Sequence, residues 1–264
     1  MKKRLAIILT LLLTILATAC GTSTDNGGTG EQSKDEKKKL VMGTSADYPP
    51  FEYIDTKTGE EIIGFDVDLA KYITDQLGYE LVIKDIAFDG LIGALQANRV
   101  DFVAACMSAT EERKKSVDFS DIYFISGEMV LVRKDSGIEK VEDLQGKVLG
   151  VQLGSIQEGT ADDLQEEITD LEVKKLNKAP ELIQELKSKR IDGVVLDQTV
   201  AEGFLNQFDD LLSITLEVDS AGTAIAFPKD SELVDEFNTV IQEMKENGEL
   251  DKLVQKWIAG EEKK

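Results

Sequence analysis

Short apolar runs alternate with amphipathic segments along residues 40–257. This alternation predicts strands and helices in turn, which is typical of an α/β protein. Gly78 directly follows the first predicted helix, where glycine favours a stop. Because strand, helix and strand succeed one another, parallel pairing is expected. The first predicted elements are a strand at 40–42, a helix at 66–77, a strand at 81–83, a helix at 89–98 and a strand at 102–105.

The same alternation restarts farther along the chain. Two extended runs rich in β-formers, 128–132 and 221–227, flank the second set. If both cross between two units, the chain builds a second lobe and returns, so that 231–258 packs helically on the first. Two crossover strands of this kind form a hinge. The second set comprises strands near 148–151, 172–173 and 193–196, with helices around Leu164 and 182–186.

The first nineteen residues differ from the rest of the chain. A basic start at Lys2, Lys3 and Arg4 precedes an apolar run and the small residues of Ala17–Thr18–Ala19. This pattern predicts a secretory signal peptide at 1–19. A permanent transmembrane helix is the alternative, but the apolar run is shorter than the roughly 20 residues that span a bilayer.

Cys20 follows this segment directly and resembles the lipidated cysteine of a lipoprotein processing site, with Ala17 where such sites usually have leucine. Ordinary cleavage after Ala19 is the alternative. Residues 21–39 contain Gly, Ser, Thr, Asp, Glu and Lys without an apolar anchor, which is typical of a flexible chain. We therefore expect 20–39 to be a lipidated cysteine and tether, which holds the protein at the membrane.

Composition excludes several classes of function. Without residues 1–19, the chain has 27 basic and 51 acidic residues, a net charge of −24, which disfavours nucleic acid as a partner. Histidine is absent, and Cys106 is the one cysteine besides Cys20. Zinc, haem and thioredoxin sites, and Ser-His or Cys-His nucleophiles, are therefore not expected, and we predict no metal and no cofactor.

Six motifs follow one another along the chain in a fixed order. They are GTSADYPPFE at 43–52, GFDVDLA at 64–70, MSATEERKKSVDFS at 107–120, GKVLGVQLGS at 146–155, DGVVLD at 192–197 and KLVQKW at 252–257. Together they resemble the polar amino acid-binding proteins of ABC transporters, also called extracellular solute-binding proteins of family 3, and the first motif is closest to Gram-positive arginine receptors. The resemblance implies a two-lobed α/β fold like that of periplasmic binding proteins, with lobe one at 40–126 plus 222–260 and lobe two at 127–221.

A zwitterionic amino acid carries a carboxylate and an ammonium, and its binding site needs an oppositely charged or hydrogen-bonding group for each. Arg113 follows Ser108 at a predicted strand-to-helix turn, where backbone N–H groups and a guanidinium suit a carboxylate. Alternatively, Arg113 is only one of several charged residues on a solvent-exposed helix. The resemblance implies instead that Arg113 is the arginine that binds the ligand's carboxylate. Asp197 ends a predicted buried strand, where α/β sheets bind ligands. The resemblance makes Asp197 the ammonium partner, and a helix cap is its alternative or additional role.

The other predicted contacts follow from the resemblance. Tyr48 and Phe88 are implied as aromatic walls around the ligand's side chain. Cys106 replaces a glycine that is common in the family, whose backbone carbonyl meets the ammonium, and a cysteine keeps that carbonyl. We expect its thiol to be buried and inert, and a thiol that lines the cleft is the alternative. The complete predicted ligand-binding set is Ser45, Tyr48, Phe88, Cys106, Met107, Ser108, Arg113, Gln152, Ser155, Gln157 and Asp197.

These features predict a monomeric, extracytoplasmic, lipid-anchored receptor that closes on a free amino acid and delivers it to an ABC permease and ATPase. Arginine or lysine is favoured by Asp47, Glu52 and the acidic surface, whereas Ser45, where several basic-ligand relatives have aspartate, leaves glutamine, glutamate and cystine open. An enzyme of the same fold, such as a dehydratase of prephenate-like acids, and a sensor's ligand-binding domain are the alternatives of another class.

Overall fold

The computed structural model describes residues 37–259. The predicted signal peptide, Cys20 and most of the predicted tether lie outside the described residues. Within them, the strands are β1 Lys39–Thr44, β2 Asp47–Tyr48, β3 Glu52–Ile54, β4 Ile62–Ile63, β5 Glu80–Asp85, β6 Phe102–Val103, β7 Asp118–Phe119, β8 Glu128–Arg133, β9 Val148–Gln152, β10 Glu172–Leu176, β11 Gly193–Asp197, β12 Leu211–Leu216 and β13 Ala226–Phe227. The α-helices are α1 Phe65–Gln76, α2 Leu91–Gln96, α3 Glu111–Lys114, α4 Ile156–Glu167, α5 Ala179–Lys187, α6 Gln198–Gln207, α7 Leu233–Asn247 and α8 Glu249–Trp257.

The first lobe is built on a five-stranded sheet with the order β5-β1-β6-β13-β7. β1 pairs in parallel with β5 and β6, as predicted, and β13 runs antiparallel to β6 and β7. Successive residues of a strand point to opposite faces, so Phe102 packs with Phe237 on one side while Val103 packs with Leu91 on the other. Both faces are covered, which is why the strands read as continuous apolar runs.

The second lobe repeats this plan with the order β10-β9-β11-β8-β12. β9, β10 and β11 are parallel, and β8 lies antiparallel between β11 and β12. Leu131 and Val194 face one side of the sheet, and Val130 and Val195 face the other. The predicted two-lobed α/β fold is therefore confirmed, with one antiparallel strand, β13 or β8, in the fourth position of each five-stranded sheet.

The chain crosses between the sheets twice, after β7 and after β12. The crossings pair with each other, because the Thr223 N–H donates to the Phe124 carbonyl (2.8 Å) and the Tyr123 N–H donates to the Thr223 carbonyl (3.0 Å). The run 128–132, predicted as a crossover, is instead strand β8 inside the second sheet. Its residues are buried throughout, which explains its apolar character without a crossing role.

Two local details correct the predicted boundaries near the first sheet. Lys39, assigned to the tether, is the first residue of β1 and pairs with Glu80. Gly64, just before α1, has φ 140°, and an added Cβ would stand 2.1 Å from the Phe51 carbonyl oxygen. Only glycine allows this close approach, which lets the small β2-β3-β4 sheet lie against the start of α1. Among residues 37–259, none of the helices combines the length and apolarity that a membrane crossing requires.

Candidate functional site

A cavity of about 330 Å³, partly open to solvent, lies between the two lobes. Nine of the eleven predicted ligand-binding residues line it, and the sequence-based set lacked Ala105 and Ile156. The lining residues are Tyr48, Phe88, Ala105, Cys106, Ser108, Arg113, Gln152, Ser155, Ile156, Gln157 and Asp197. The first six come from the first lobe and the others from the second.

Ser45 and Met107 do not line the cavity. Ser45 is 3% exposed and its hydroxyl donates to the Asp47 carboxylate at 3.3 Å. Met107 is 1% exposed and packs in the apolar cluster that contains Leu91. Ser45 was considered because several relatives that bind basic ligands have aspartate at this position, but its hydroxyl bonds to Asp47, and the Met107 side chain belongs to the apolar core.

Arg113 lies where a ligand carboxylate is expected, and the described residues contain no carboxylate in ion-pair contact with it. Thr110 caps α3 by accepting from the Arg113 N–H. The Arg113 guanidinium donates through Nη1 to the Ser108 carbonyl (3.0 Å) and through Nη2 to the Gly154 carbonyl of the other lobe (2.9 Å). It also lies 5.4 Å from the centre of the Phe88 ring. Burial lowers the pKa of Arg113 to about 10, so the group stays charged at neutral pH.

Asp197 faces Arg113's cavity from the second lobe, at the end of β11. Its carboxylate accepts from the Thr199 N–H (2.8 Å), which caps α6, and from the Ser126 hydroxyl (3.0 Å). The capping role considered from the sequence is therefore present. Burial raises the pKa of Asp197 to about 6, although these hydrogen bonds oppose the rise. An ammonium placed beside it would favour the ionised carboxylate.

The aromatic residues join the lobes as well as bounding the cavity. The Tyr48 hydroxyl accepts from the Asp197 N–H at 3.0 Å, across the cleft. Phe88 begins the 3-10 turn Phe88–Gly90 and is half-buried. Gly154 approaches the same turn so closely that an added Cβ would lie 3.0 Å from the Asp89 Cα. The described structure therefore has the two lobes in contact around the cavity.

The second lobe supplies uncharged hydrogen-bonding groups. Ser155 caps α4, since its hydroxyl accepts from the Glu158 N–H (3.3 Å). The Gln152 side-chain amide donates to the Asn177 carbonyl (3.0 Å) and reaches Asp47 of the first lobe at 3.4 Å. Because the N-terminus of a helix presents free N–H groups, the start of α4 suits an anion beside Arg113.

Cys106 occupies a turn that another residue holds in place. Its φ of 46° lies in the left-handed region that favours glycine, the residue common at this point in the family. The Cys106 N–H donates to Asp66 at 2.7 Å, and the Tyr123 hydroxyl donates to the same carboxylate at 2.8 Å. Burial raises the pKa of the Cys106 thiol well above its usual value, which makes it a poor nucleophile.

Asp66 is the functional residue that the sequence-based set missed. It is fully buried at the start of α1 and fixes both the Cys106 turn and the first crossing segment through Tyr123. It lies in the motif at 64–70, which contributed to the family resemblance and to the predicted helix but was assigned no role at the site. The sequence did contain a signal for Asp66, namely an acidic residue at a position of this helix that is expected to be buried. A buried carboxylate requires hydrogen-bond partners, which indicates a specific role.

Two acids cited in favour of a cationic ligand are buried outside the cavity lining. Burial raises the pKa of Asp47 to about 6. Glu52 is fully buried, neither of its oxygens has a hydrogen-bond partner among the described residues, and burial together with Asp66 raises its pKa well above the usual value. Within the described chain, no group of three or more side chains is arranged to hold a metal ion. The cavity thus offers separate cationic and anionic ends for a small polar molecule.

The sequence is similar to a known family over nearly all of the described chain. The profile of the bacterial extracellular solute-binding proteins, family 3, matches residues 40–260. The arginine-binding extracellular protein ArtP of Bacillus subtilis (strain 168) is 46% identical over 264 residues, covering 99% of this chain and 100% of ArtP.

Solved structures show the same similarity. An ancestral arginine-binding protein bound to arginine has a TM-score of 0.78 at 41% identity, covering 84% of this chain and 99% of the other. An ancestral amino acid-binding protein, AncCDT-1, which is a precursor of cyclohexadienyl dehydratase, has a TM-score of 0.75 at 34% identity, covering 83% of this chain and 95% of the other.

Proposed function

The chain belongs to the bacterial extracellular solute-binding proteins, family 3, and from this premise we propose that it is an arginine receptor of an amino acid ABC transporter. Receptors of this family act outside the cytoplasm and present an amino acid to a membrane permease with its ATPase. The finer elements of the proposal are the ligand, the residues that bind it, the closing motion and the anchor.

One observation carries the proposal: a half-buried guanidinium and a buried carboxylate from different lobes line one small cavity. Among the described residues, Arg113 pairs with no carboxylate and Asp197 pairs with no cation. Charges removed from water are unfavourable unless they are paired with opposite charges. A free amino acid can pair with both groups at once, its carboxylate with Arg113 and its ammonium with Asp197.

Arginine is the ligand that we propose among the amino acids. ArtP, which is 46% identical to this chain, is an arginine-binding protein, and so is the ancestral protein with a TM-score of 0.78. Tyr48 and Phe88 offer flat aromatic faces that attract a guanidinium, and the net charge favours the approach of a cation. Lysine also has a cationic side chain and is the second candidate. Glutamine is a further candidate, because the Gln152 amide in the cavity lining can hydrogen-bond to the amide of a glutamine ligand.

Binding would proceed by closure about the two paired crossing segments. In the proposed sequence, the ligand docks on Tyr48, Phe88, Ser108 and Arg113, and the second lobe then brings Asp197 with Ser155 and Gln157 over it. The backbone pairing of Phe124 with Thr223 supports this assignment, since it holds the two crossing segments side by side where the chain passes between the lobes. The lobe boundaries proposed from the sequence, 40–126 plus 222–260 and 127–221, fit such a hinge.

We propose further that Cys20 carries a lipid and that the receptor acts as an anchored monomer. The small residues before Cys20 and the polar stretch after it support this arrangement. Intact-mass spectrometry of the membrane fraction tests it: a diacylglyceryl mass on a chain that begins at Cys20 is expected, and a chain that begins elsewhere without lipid would contradict it.

A dehydratase is the second function considered, because AncCDT-1 is a precursor of cyclohexadienyl dehydratase. The absence of histidine removes the commonest general acid–base residue, and burial raises the pKa of Asp197 and of Asp47 to about 6. Turnover of prephenate by purified protein would favour this alternative, and we expect none.

A ligand screen tests the receptor directly. The purified chain is scanned for thermal shift with the twenty amino acids, ornithine, citrulline and cystine, and the leading ligands are titrated by calorimetry. The largest shift is expected for arginine, with lysine next. A protein that shifts with no amino acid would refute the receptor assignment, and a preference for glutamine or cystine would refute the arginine assignment alone.

A further inference from the structure

Glu128 stands directly opposite Asp197 in the second sheet. The two residues are paired in the antiparallel register of β8 and β11. Side chains at directly opposite positions lie on the same face of the sheet with Cβ atoms about 5 Å apart. Two carboxyl groups are therefore neighbours at the cleft edge of the second lobe, and sequence motifs gave no reason to place Glu128 there.

The Glu128 carboxylate is buried and incompletely bonded. The residue is 4% exposed, and its Oε1 accepts from the Gln157 amide at 3.3 Å. Its Oε2 has no hydrogen-bond partner among residues 37–259. Burial raises the pKa of Glu128, the neighbouring Asp197 raises it further, and the Thr160 hydroxyl opposes the rise.

A second space of about 290 Å³ adjoins the ligand cavity on the hinge side. It shares Ser108, Ile156, Gln157 and Asp197 with the main cavity. The residues that line it include the three acids Glu128, Asp197 and Asp219 but neither lysine nor arginine. Adjacent like charges in a buried place destabilise the fold, and a cation between them removes that penalty.

We propose that Glu128 is a ligand-binding residue which forms, with Asp197, a two-carboxylate subsite for the ligand's α-ammonium. The inference rests on the proposed amino acid receptor. An ammonium has three N–H donors, and Asp197, Glu128 and the Ser108 hydroxyl provide three acceptors around the shared space. Arg113, which lines only the main cavity, remains for the α-carboxylate.

If Glu128 binds the ligand's ammonium, replacing it with glutamine should weaken ligand binding without lowering the stability of the ligand-free protein. A residue with a purely structural role would not show both effects. Glu128→Gln keeps the size of the side chain but removes a charged acceptor from the ammonium, so binding weakens. The same change removes the repulsion between two buried carboxylates, so the ligand-free protein does not lose stability. A structural hydrogen-bonding role would instead lower the stability of the ligand-free protein.

The test compares wild type, Glu128→Gln and Glu172→Gln by calorimetry with arginine and with citrulline, its isostere with an uncharged side chain. Glu172 is an exposed acid at the start of β10 and controls for the loss of one negative charge. Glu128→Gln is expected to weaken both ligands by the same factor, roughly 10- to 100-fold. Glu172→Gln is expected to bind both like wild type, and the ligand-free Tm of Glu128→Gln is expected to equal or exceed that of wild type.

Glu128→Asp keeps the charge on a shorter side chain and guards against misfolding of the amide variant, since it is expected to recover part of the lost affinity. An affinity of Glu128→Gln within twofold of wild type would overturn the inference while leaving the receptor function intact. A loss confined to arginine would also overturn it, because Glu128 would then serve the side chain. If wild type binds neither ligand, the proposed function itself fails.

Discussion

Strand β8 begins at the cleft and ends at the far side of the second lobe, and its two terminal charged residues have opposite surroundings. At the cleft end, Glu128 lies beside another acid, Asp197, and forms no ion pair in the described structure. Two like charges are held side by side at the place where the lobes meet.

At the far end, Arg133 is also buried, but it has hydrogen-bond acceptors and two carboxylates of its own lobe within reach. Its guanidinium donates to the carbonyls of Leu186 and Ile191, each at 2.8 Å. It also lies 3.4 Å from the Asp135 carboxylate and 3.7 Å from that of Asp192. These contacts fasten the end of α5 and the loop before β11 to the sheet.

The contrast between Arg133 and Arg113 teaches the same lesson for cations. Arg133 meets carboxylates of its own lobe, whereas Arg113 meets only backbone carbonyls, one of them across the cleft. A charge that the fold satisfies contributes to stability, and a charge that it leaves without a counterion is available to a ligand. Separate readouts of binding and stability should therefore distinguish the two ends.

The largest effect is expected at Arg113. Arg113→Ala should weaken arginine binding by about 2–5 kcal/mol, because truncation leaves the ligand's carboxylate partly unpaired in a buried place. Lys115→Ala is the control: this side chain is 70% exposed and pairs with Glu112 on the outer surface of α3. Calorimetry that finds the affinity of Arg113→Ala unchanged would remove Arg113 from the site.

Arg133→Met should show the opposite division of effects. The variant removes the hydrogen bonds that the guanidinium donates to the Leu186 and Ile191 carbonyls, although the Leu186 carbonyl keeps the Lys189 N–H, so the free energy of unfolding should fall by about 1–3 kcal/mol. Urea denaturation of the ligand-free protein measures this fall. The dissociation constant for arginine, measured on the folded variant, should stay as in wild type. A selective loss of affinity without a loss of stability would break the comparison.

Changing pH should move binding and stability in opposite directions. Burial raises the pKa of Asp47, Asp66 and Asp197 to about 6, so the folded state holds these protons more tightly than the unfolded chain does. Their contribution to stability is therefore lost as pH rises from about 4 through 6. The affinity for arginine should rise as Asp197 ionises, by up to about tenfold between pH 5 and 7, because the ligand's ammonium binds the ionised carboxylate.

Asp197→Asn isolates the part of this response that belongs to the ligand. The variant should bind arginine more weakly than wild type at pH 7, with a flatter pH dependence. Calorimetry at pH 5, 6 and 7 measures it. A variant that keeps the full pH dependence would assign the response to Asp47 or Asp66 instead.

The smallest effect is expected at a surface ion pair of the first lobe. Lys256 contacts Asp68 at 2.6 Å, but its side chain is 58% exposed, and the Trp257 indole also donates to Asp68 at 2.8 Å. Lys256→Ala should lower the free energy of unfolding by less than about 1 kcal/mol and leave arginine binding unchanged. A larger loss in urea denaturation would show that such pairs contribute as Arg133 does.

Several parts of this fold could be predicted because local patterns specify them. The apolar runs at 40–42, 81–83 and 193–196 are strands, of which 81–83 is only partly buried, and the helix predicted at 66–77 differs from α1 by one residue at each end. Periodicity is a property of neighbouring residues, so it survives without knowledge of the tertiary contacts.

Other elements escaped prediction because nothing local marks them. The strand β7 is two residues long and exists only because it finds a partner, β13, far away in sequence. Of the extended run predicted at 221–227, only the last two residues join the first sheet, as β13. The run 128–132 gave a correct strand but an incorrect role, since pattern alone does not tell which sheet a strand joins. Asp66 was likewise known only as a helix residue until its contacts with Cys106 and Tyr123 were visible.

The sequence alone determined that this is a two-lobed α/β protein of the amino acid-binding family, with Arg113 and Asp197 among its charged candidates. The tertiary structure decided which side chains share the cavity: it placed Ser45 and Met107 outside the lining and put Glu128 beside Asp197. The physical reason is that strand and helix preferences depend on near neighbours, whereas the register of β8 against β11 brings together residues 69 positions apart.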